Sequence, residues 1–147
     1  MHNNKSNKGL LLATGDLPEG VASAMRIRLI AATLHEGGVS IEIGLVHPNL
    51  KYPVPGNTEL SGIFSGVRYT YLSGRIVRPS TIIGAIRDTL SGILSATRLL
   101  LAKGEQKPAF VIFYTPTYWE VIVPMLVARY RGIPIFVEAC EIWSAIA

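Results

Sequence analysis

The chain has 147 residues and a net charge of +4; 49% of its residues are hydrophobic, 16% are charged, and the mean hydropathy is +0.36. This composition excludes a disordered chain, which would be charged and poor in apolar residues, and the lone cysteine, Cys140, excludes a disulfide scaffold. The positive charge comes without a basic run, interleaved aromatic residues or zinc-ligand spacing, so we expect no nucleic-acid partner.

The chain starts with a polar stretch, residues 1–8, whose lack of periodicity predicts a disordered tail. The apolar run that follows is too short for a signal peptide, because it ends at a Thr-Gly-Asp turn. The most apolar long segment, 81–102, contains three charged residues, which argue against a transmembrane span. We therefore predict a cytoplasmic protein, with a mildly basic surface that would favour anionic lipid or a phosphorylated substrate.

Strand and helix signals alternate along residues 9–147, which we predict to form one domain. Continuous apolar runs are typical of strands buried on both faces, and they occur at 9–14, 109–114 and 133–137; a further strand is predicted at 39–46. A more exposed strand is predicted at 67–72, after a long Pro- and Gly-rich loop at 47–66. Helices are predicted from Ser23 to the Gly37-Gly38 pair, from Pro79-Ser80 to about Lys103, and over 118–130, where Pro124 predicts a kink or break.

The second of these helices has an unusually narrow polar side. Its apolar positions keep helical spacing and include Ile83, Ile86, Leu90, Ile93 and Leu100. One thin polar stripe consists of Arg87, Ser91, Ser95 and Arg98. A helix with so little polar surface is buried, or it lies against a membrane or a partner. We favour burial against the sheet.

Buried strands alternating with helices predict an α/β fold, with a Rossmann-like parallel sheet covered by helices on both faces. Ligands of such sheets bind outside the carboxyl ends of the strands. This rule selects three segments: the loop 15–22, the turn after Tyr114, and residues 138–143.

The loop 15–22 precedes a helix, whose first backbone amides favour an anion. Gly20 would let a phosphate approach the backbone. Arg26 and Arg28 lie near the start of that helix, where cations oppose its dipole, so a bound anion would explain them. The alternative is that both arginines simply point to solvent. The loop fits neither the dinucleotide fingerprint nor the P-loop.

The other two segments supply further candidates. In the turn after Tyr114, Thr115 is a candidate for binding substrate, and neighbouring aromatic residues would stack on a sugar or belong to the core. Glu138 and Glu141 directly follow an apolar strand, where carboxylates accept hydrogen bonds from hydroxyls or act in acid–base chemistry; alternatively, one of them caps a helix or pairs with an arginine. Cys140 has no paired histidine, so we interpret it as a structural thiol. His35 and His47 lie at element ends without ligand spacing, and we predict no metal site.

Several segments, taken in order, resemble one protein family. They are Pro-Glu-Gly-Val-Ala-Ser-Ala-Met-Arg at 18–26, His-Glu-Gly-Gly-Val-Ser-Ile-Glu-Ile at 35–43, His-Pro-Asn-Leu-Lys-Tyr-Pro at 47–53, Gly-Val-Arg-Tyr at 66–69 and Glu-Ala-Cys-Glu-Ile-Trp at 138–143. Their order and spacing are similar to the N-terminal domain of family-4 glycosyltransferases of the GT-B fold, above all to bacterial members that build cell-surface polysaccharides. The resemblance runs from about Leu10 to Trp143.

The resemblance implies a retaining transfer of a sugar from a nucleotide-sugar donor to a sugar or lipid-linked acceptor, with no other cofactor. The N-terminal domain would hold the acceptor, often at the inner face of a membrane, which implies peripheral membrane contact. Gly20 would lie on the side of the donor diphosphate. Arg26, Glu138 and Glu141 would lie on the acceptor side of the cleft. Catalytic residues are not identified.

The chain also departs from the family pattern. The family usually has His directly after its Gly, whereas here Gly38 is followed by Val39. It also usually has Asp at the position of Glu141. The second Rossmann domain of the family, which binds the nucleotide and carries its Glu-x7-Glu element, is not among these residues, and neither are two strands of the first domain. We therefore expect an incomplete domain, truncated at its C-terminal end, that is inactive alone and works with a second Rossmann domain or subunit. The alternative is a non-catalytic α/β binding or interaction domain.

Overall fold

The computed structural model describes residues 8–20, 22–52, 55–114 and 118–138. The strands are β1 (Lys8–Ala13), β2 (Ser40–Leu45), β3 (Ser61–Phe64), β4 (Val67–Tyr71), β5 (Phe110–Tyr114) and β6 (Ile135–Glu138). The α-helices are α1 (Ala22–Glu36), α2 (Ile82–Leu101) and α3 (Ile122–Tyr130). Two single 3₁₀ turns lie at Gly104–Gln106 and Tyr118–Glu120. Elements appear at all the predicted positions, with bounds that differ by a few residues.

The strands form one sheet in the order β3-β4-β2-β1-β5-β6. All neighbours are parallel except β3 and β4. Ala13 at the end of β1 lies opposite Leu45 on one side and Tyr114 on the other, so the carboxyl ends of these strands meet at one edge. The prediction of a Rossmann-like α/β fold is confirmed.

The continuous apolar run in β1 is explained by two cores on opposite faces of the sheet. Leu11 contributes to the core beneath α1, together with Ile27 and Ile43. Leu10 and Leu12 point to the other face, where they join the core of α2 and α3. A central strand with both faces covered has no position for a polar side chain, which is why its sequence does not alternate.

Strand β3 lies inside the segment 47–66, which the sequence predicts to be loop. It forms a hairpin with β4 through Ser65 and Gly66, which have φ angles of 46° and 78°. Positive φ at both central residues is the requirement of a tight hairpin turn. The strand has only four residues and none of them is buried, so its sequence lacks the apolar run that marks the other strands.

The predicted break in the third helix lies at Val121, three residues before Pro124, and Pro124 itself lies within α3. It is the third residue of α3, in the first turn, where the backbone N–H groups have no partner within the helix. The proline ring therefore costs no hydrogen bond there. The interruption lies earlier, between the 3₁₀ turn Tyr118–Glu120 and the start of α3.

Helix α2 contradicts the prediction that its apolar face is buried. Ile83, Ile86 and Leu90 are 81%, 55% and 58% exposed. The residues that α2 buries are Asp88, Thr89, Gly92, Ala96 and Leu100. A Cβ atom on Gly92 would lie 1.8 Å from the carbonyl oxygen of Val46, so α2 crosses the end of β2 too closely for a side chain at this position. No helix in the described ranges is long and apolar enough to span a membrane.

Candidate functional site

Four buried titratable residues occupy the carboxyl edge of the sheet and the helix that crosses it. Asp16 follows β1, His47 follows β2, Glu120 follows β5, and Asp88 lies on α2. Their exposed fractions are 2%, 6%, 5% and 4%. We call these residues the edge cluster. Buried charges are costly unless they are paired or hydrogen-bonded, so their contacts decide what the cluster can do.

His47 and Glu120 form a buried ion pair that joins the loops after β2 and β5. The Nε2 atom of His47 is 3.0 Å from Oε1 of Glu120, and Nδ1 is 3.0 Å from the carbonyl oxygen of Pro48. Both ring nitrogens thus lie next to acceptors, which favours the protonated ring. Burial alone would lower the pKa of His47, but the contacts with Glu120 and Pro48 outweigh it and raise the pKa above its ordinary value.

Asp16 joins the loop after β1 to the loop after β2. Its Oδ1 accepts hydrogen bonds from the backbone N–H groups of Asn49 at 3.2 Å and Leu50 at 3.3 Å. Burial raises the pKa of Asp16, and these two hydrogen bonds offset only part of the rise. The carboxyl group is therefore easier to protonate than an exposed aspartate.

The Asp88 side chain extends from α2 into the same polar region. Its Oδ1 lies 3.7 Å from Nε of Arg75, which is in the loop after β4. Burial raises the pKa of Asp88, while Ser73, His47 and the arginines Arg75 and Arg78 act in the opposite direction. The cluster thus connects four elements of the carboxyl edge with α2.

The glycine loop, residues 15–20, is held by hydrogen bonds to the loop after β2 and to β4. The Tyr71 hydroxyl accepts from the N–H of Leu17 at 2.8 Å and donates to its carbonyl oxygen at 3.0 Å. The Asn57 side chain accepts from the N–H of Glu19 at 3.1 Å and donates to its carbonyl oxygen at 2.9 Å. Burial raises the pKa of Tyr71 to about 12, so its hydroxyl stays a donor across the physiological range.

Gly20 has a packing role within this loop. A Cβ atom at Gly20 would lie 2.8 Å from the carbonyl oxygen of Asp16 and 2.9 Å from Cβ of Ala24. Only glycine therefore allows the loop to fold back onto the start of α1 at this separation. The loop is thus held in place as far as Gly20, beside the first turn of α1, and the N-terminus of a helix favours an anion.

The edge cluster has hydrogen-bonding capacity that its protein contacts do not use. Within the described residues, three carboxylate oxygens of the cluster, Asp16 Oδ2, Asp88 Oδ1 and Glu120 Oε2, accept no hydrogen bond. Carboxylate oxygens of this kind accept hydrogen bonds from hydroxyl groups or water. Among the described ranges, no group of three or more His, Cys, Asp or Glu residues could hold a metal ion.

The structure places three of the five predicted site residues. Gly20 lies in the glycine loop. Glu138 is the last residue of β6, half-buried, at the same edge of the sheet. Arg26 is exposed and lines a groove of about 540 Å³ with Met25, Leu29 and Phe64, none of which belongs to the edge cluster. Thr115 and Glu141 lie outside the described residues.

Sequence reasoning did not select the edge cluster. The available signal was position: Asp16 and His47 are the first ionisable residues after β1 and β2, whose carboxyl ends are the binding edge of the fold. The end of β2 could have been selected by the same rule as the other segments. Asp88 and Glu120 had no such signal, because Asp88 lies in a helix and Glu120 is six residues beyond the end of β5.

No model of a known protein family matches the chain, and neither does any curated protein or solved structure. The glycosyltransferase family therefore stays a prediction from the sequence.

Proposed function

We propose that this chain is the N-terminal, acceptor-side part of a glycosyltransferase of the GT-B type, which transfers a sugar from a nucleotide-sugar in cell-surface polysaccharide or glycolipid synthesis. One observation carries the proposal: the fixed glycine loop lies at the carboxyl end of β1 and leads directly into α1. In a doubly wound sheet this is where phosphate-bearing ligands bind. Of the sequence segments that resemble the family, those around Gly20 and His47 lie at this same edge, and Glu138 ends β6 there.

Each predicted residue has a role in the proposed reaction. The backbone around Gly20 would face the donor diphosphate, and the N-terminal amides of α1 would stabilise its negative charge. Glu138, at the end of β6, would accept hydrogen bonds from acceptor hydroxyls, and Glu141 and Thr115 would act beside it. Arg26, on the first turns of α1, would bind the anionic part of the acceptor. The edge cluster would hold the surrounding loops in place beneath these groups.

The nucleotide would be bound mostly by a second Rossmann-like domain or subunit. Transfer would then take place in the cleft between the two, in the cytoplasm, with a sugar or lipid-linked acceptor presented at the inner face of the membrane. No cofactor besides the nucleotide-sugar substrate is required by this proposal.

The test combines the chain with a candidate second Rossmann domain encoded beside it and measures transfer of labelled sugar to an acceptor. We expect transfer only when both are present. Glu138→Gln should lower it about tenfold or more, because hydrogen bonds to a charged group contribute about 1.5–3 kcal/mol. The matched control is Glu36→Gln, at the exposed end of α1 on the opposite edge of the sheet, which should leave transfer unchanged.

Two results would contradict the proposal. One is equal transfer by the Glu138→Gln and unsubstituted chains. The other is acceptor binding by this chain with no transfer in any combination, which would favour the non-catalytic binding domain.

A further inference from the structure

Helices α2 and α3 turn large aliphatic side chains away from the sheet. On α2 the exposed residues follow helical spacing and include Ile82, Ile83, Ile86, Leu90 and Leu94, which are 51–81% exposed. On α3 they are Ile122, Val123 and Leu126, at 49–61%. We call these eight residues the α2–α3 apolar face. The two helices pack against each other on the same side of the sheet. Apolar patches of this kind on a protein surface mark interaction sites.

The charges of the two helices restrict what can cover this face. Their exposed charged residues are all arginines: Arg87 and Arg98 on α2 and Arg129 on α3. The one acidic residue of the two helices, Asp88, is buried beneath α2. Apolar side chains flanked by arginines, with no exposed carboxylate, are typical of a helix that lies in the interface of an anionic bilayer.

A second copy of the chain fits this face less well. Two α2–α3 apolar faces brought together would place the three arginines of each copy around one interface with no acidic residue of either helix to pair with them. A bilayer containing anionic lipid, by contrast, offers both an apolar interior and negative charge at its surface. Helix α2 has 20 residues and is therefore about 30 Å long, a length over which its apolar side can lie on a planar surface.

We propose that the α2–α3 apolar face docks in the plane of an anionic lipid bilayer, with Ile83, Ile86 and Leu90 inserted and Arg87 and Arg98 at the headgroups. This inference deepens the proposed function by assigning its membrane contact to particular residues. It rests on the proposed function only in taking the membrane to be the one whose inner face presents the acceptor. The arrangement places α2 in the interface, and α2 also crosses the end of β2 at Gly92. The carboxyl edge would therefore lie close to the lipid surface.

The test is flotation of the purified chain with vesicles of phosphatidylcholine alone or of an equimolar mixture with phosphatidylglycerol. We expect binding to the anionic vesicles and weak binding to the neutral ones. The triple variant I83Q/I86Q/L90Q should bind at least ~100-fold more weakly, because each substitution removes the favourable free energy of moving an aliphatic side chain from water into the bilayer. All three side chains are more than half exposed, so the fold should tolerate the change.

A matched control lies on the other side of the sheet. Met25 and Leu29 are each 68% exposed on α1, and M25Q/L29Q should bind vesicles as the unsubstituted chain does. The variant R87Q/R98Q should lose about fivefold per arginine on anionic vesicles and nothing on neutral ones, since a basic residue near the surface contributes about 1 kcal/mol. Raising the salt concentration should weaken binding of the unsubstituted chain in the same way.

Equal flotation of the triple variant and the unsubstituted chain would overturn the proposal. So would a dimer in sedimentation that the triple variant abolishes without any vesicle binding by the unsubstituted chain, because the face would then belong to a second copy. Transfer of sugar to a soluble acceptor does not depend on the bilayer, so loss of flotation and loss of transfer distinguish a failure of this inference from a failure of the proposed function.

Discussion

Helix α1 buries aliphatic side chains against the sheet, whereas α2 on the opposite face buries small and polar ones. In α1 the inward residues are Ala24, Ile27 and Ala31, all at most 1% exposed. In α2 they are mostly small or polar and include Asp88, Thr89 and Gly92, while Ile82, Ile83 and Ile86 stay outside. The α2 sequence is the more hydrophobic of the two.

The distance between each helix and the sheet explains the difference. At Gly92 the α2 backbone lies against the Val46 carbonyl, so there is no room for a side chain between them. In α1 the Ile27 side chain fills the space above β1 and β2. The short distance between α2 and β2 therefore determines which side of α2 is buried, whereas the burial of hydrophobic side chains determines which side of α1 is buried. The consequence is a broad apolar outer surface on the α2 side of the molecule.

The largest expected effect is a difference in stability between substituting a buried isoleucine of α1 and an exposed isoleucine of α2. Ile27→Ala should lower the free energy of unfolding by about 4 kcal/mol, because it leaves a cavity in the core beneath α1. Ile83→Ala, in the exposed first turn of α2, should change it by less than about 0.5 kcal/mol. Urea unfolding of the two variants measures both values. Equal losses would mean that α2 buries its apolar side in solution.

The second prediction concerns the close approach of α2 to β2. Gly92→Ala should cost about 3 kcal/mol, although alanine favours helices, because the added Cβ meets a backbone oxygen that cannot move aside. The control Ser91→Ala, at the exposed neighbouring position, should be nearly neutral. A Gly92→Ala variant with undiminished stability would show that α2 does not pack at this distance.

A third prediction tests the polar residues under α2. A raised pKa at His47 stabilises the fold fully below its unfolded value of 6.5, and this contribution is lost as the pH rises through the folded value. Glu120→Gln should therefore lower stability by about 2 kcal/mol at pH 6, and by less at alkaline pH. It should also lower the pKa of His47 in an NMR titration of the ring. Glu36→Gln, at the exposed end of α1, should leave that pKa as it is.

The smallest expected effect concerns the contact between Arg28 of α1 and the β3–β4 hairpin. The Arg28 guanidinium carbon lies 4.7 Å from the centre of the Phe64 ring in β3. A double-mutant cycle with Arg28→Gln and Phe64→Leu should give a coupling of about 0.5–1 kcal/mol, as expected of a cation over an aromatic face. Zero coupling would show that the Arg28 and Phe64 side chains do not interact in solution.

Five of the six strands were predictable because each carries its own signal. A strand such as β1 or β5 is apolar at nearly every position, since both of its faces are covered. Strand β3 has no buried residue, so its formation depends on the Ser65-Gly66 turn and on pairing with β4. The candidate site was predictable in part: Gly20 and Glu138 lie at the predicted edge, whereas the pairing of His47 with Glu120 requires two loops 73 residues apart to meet.

The sequence by itself determined the alternation of strand and helix, the parallel sheet and the edge at which a ligand would bind. These features depend on which residues are buried, and the order of apolar and polar side chains along a short segment indicates that directly. Only the tertiary structure decided which side of α2 faces the sheet and which charged groups are buried together. Both depend on the separation between elements that are distant in the chain, and at Gly92 that separation is too small for the hydrophobic pattern to be followed.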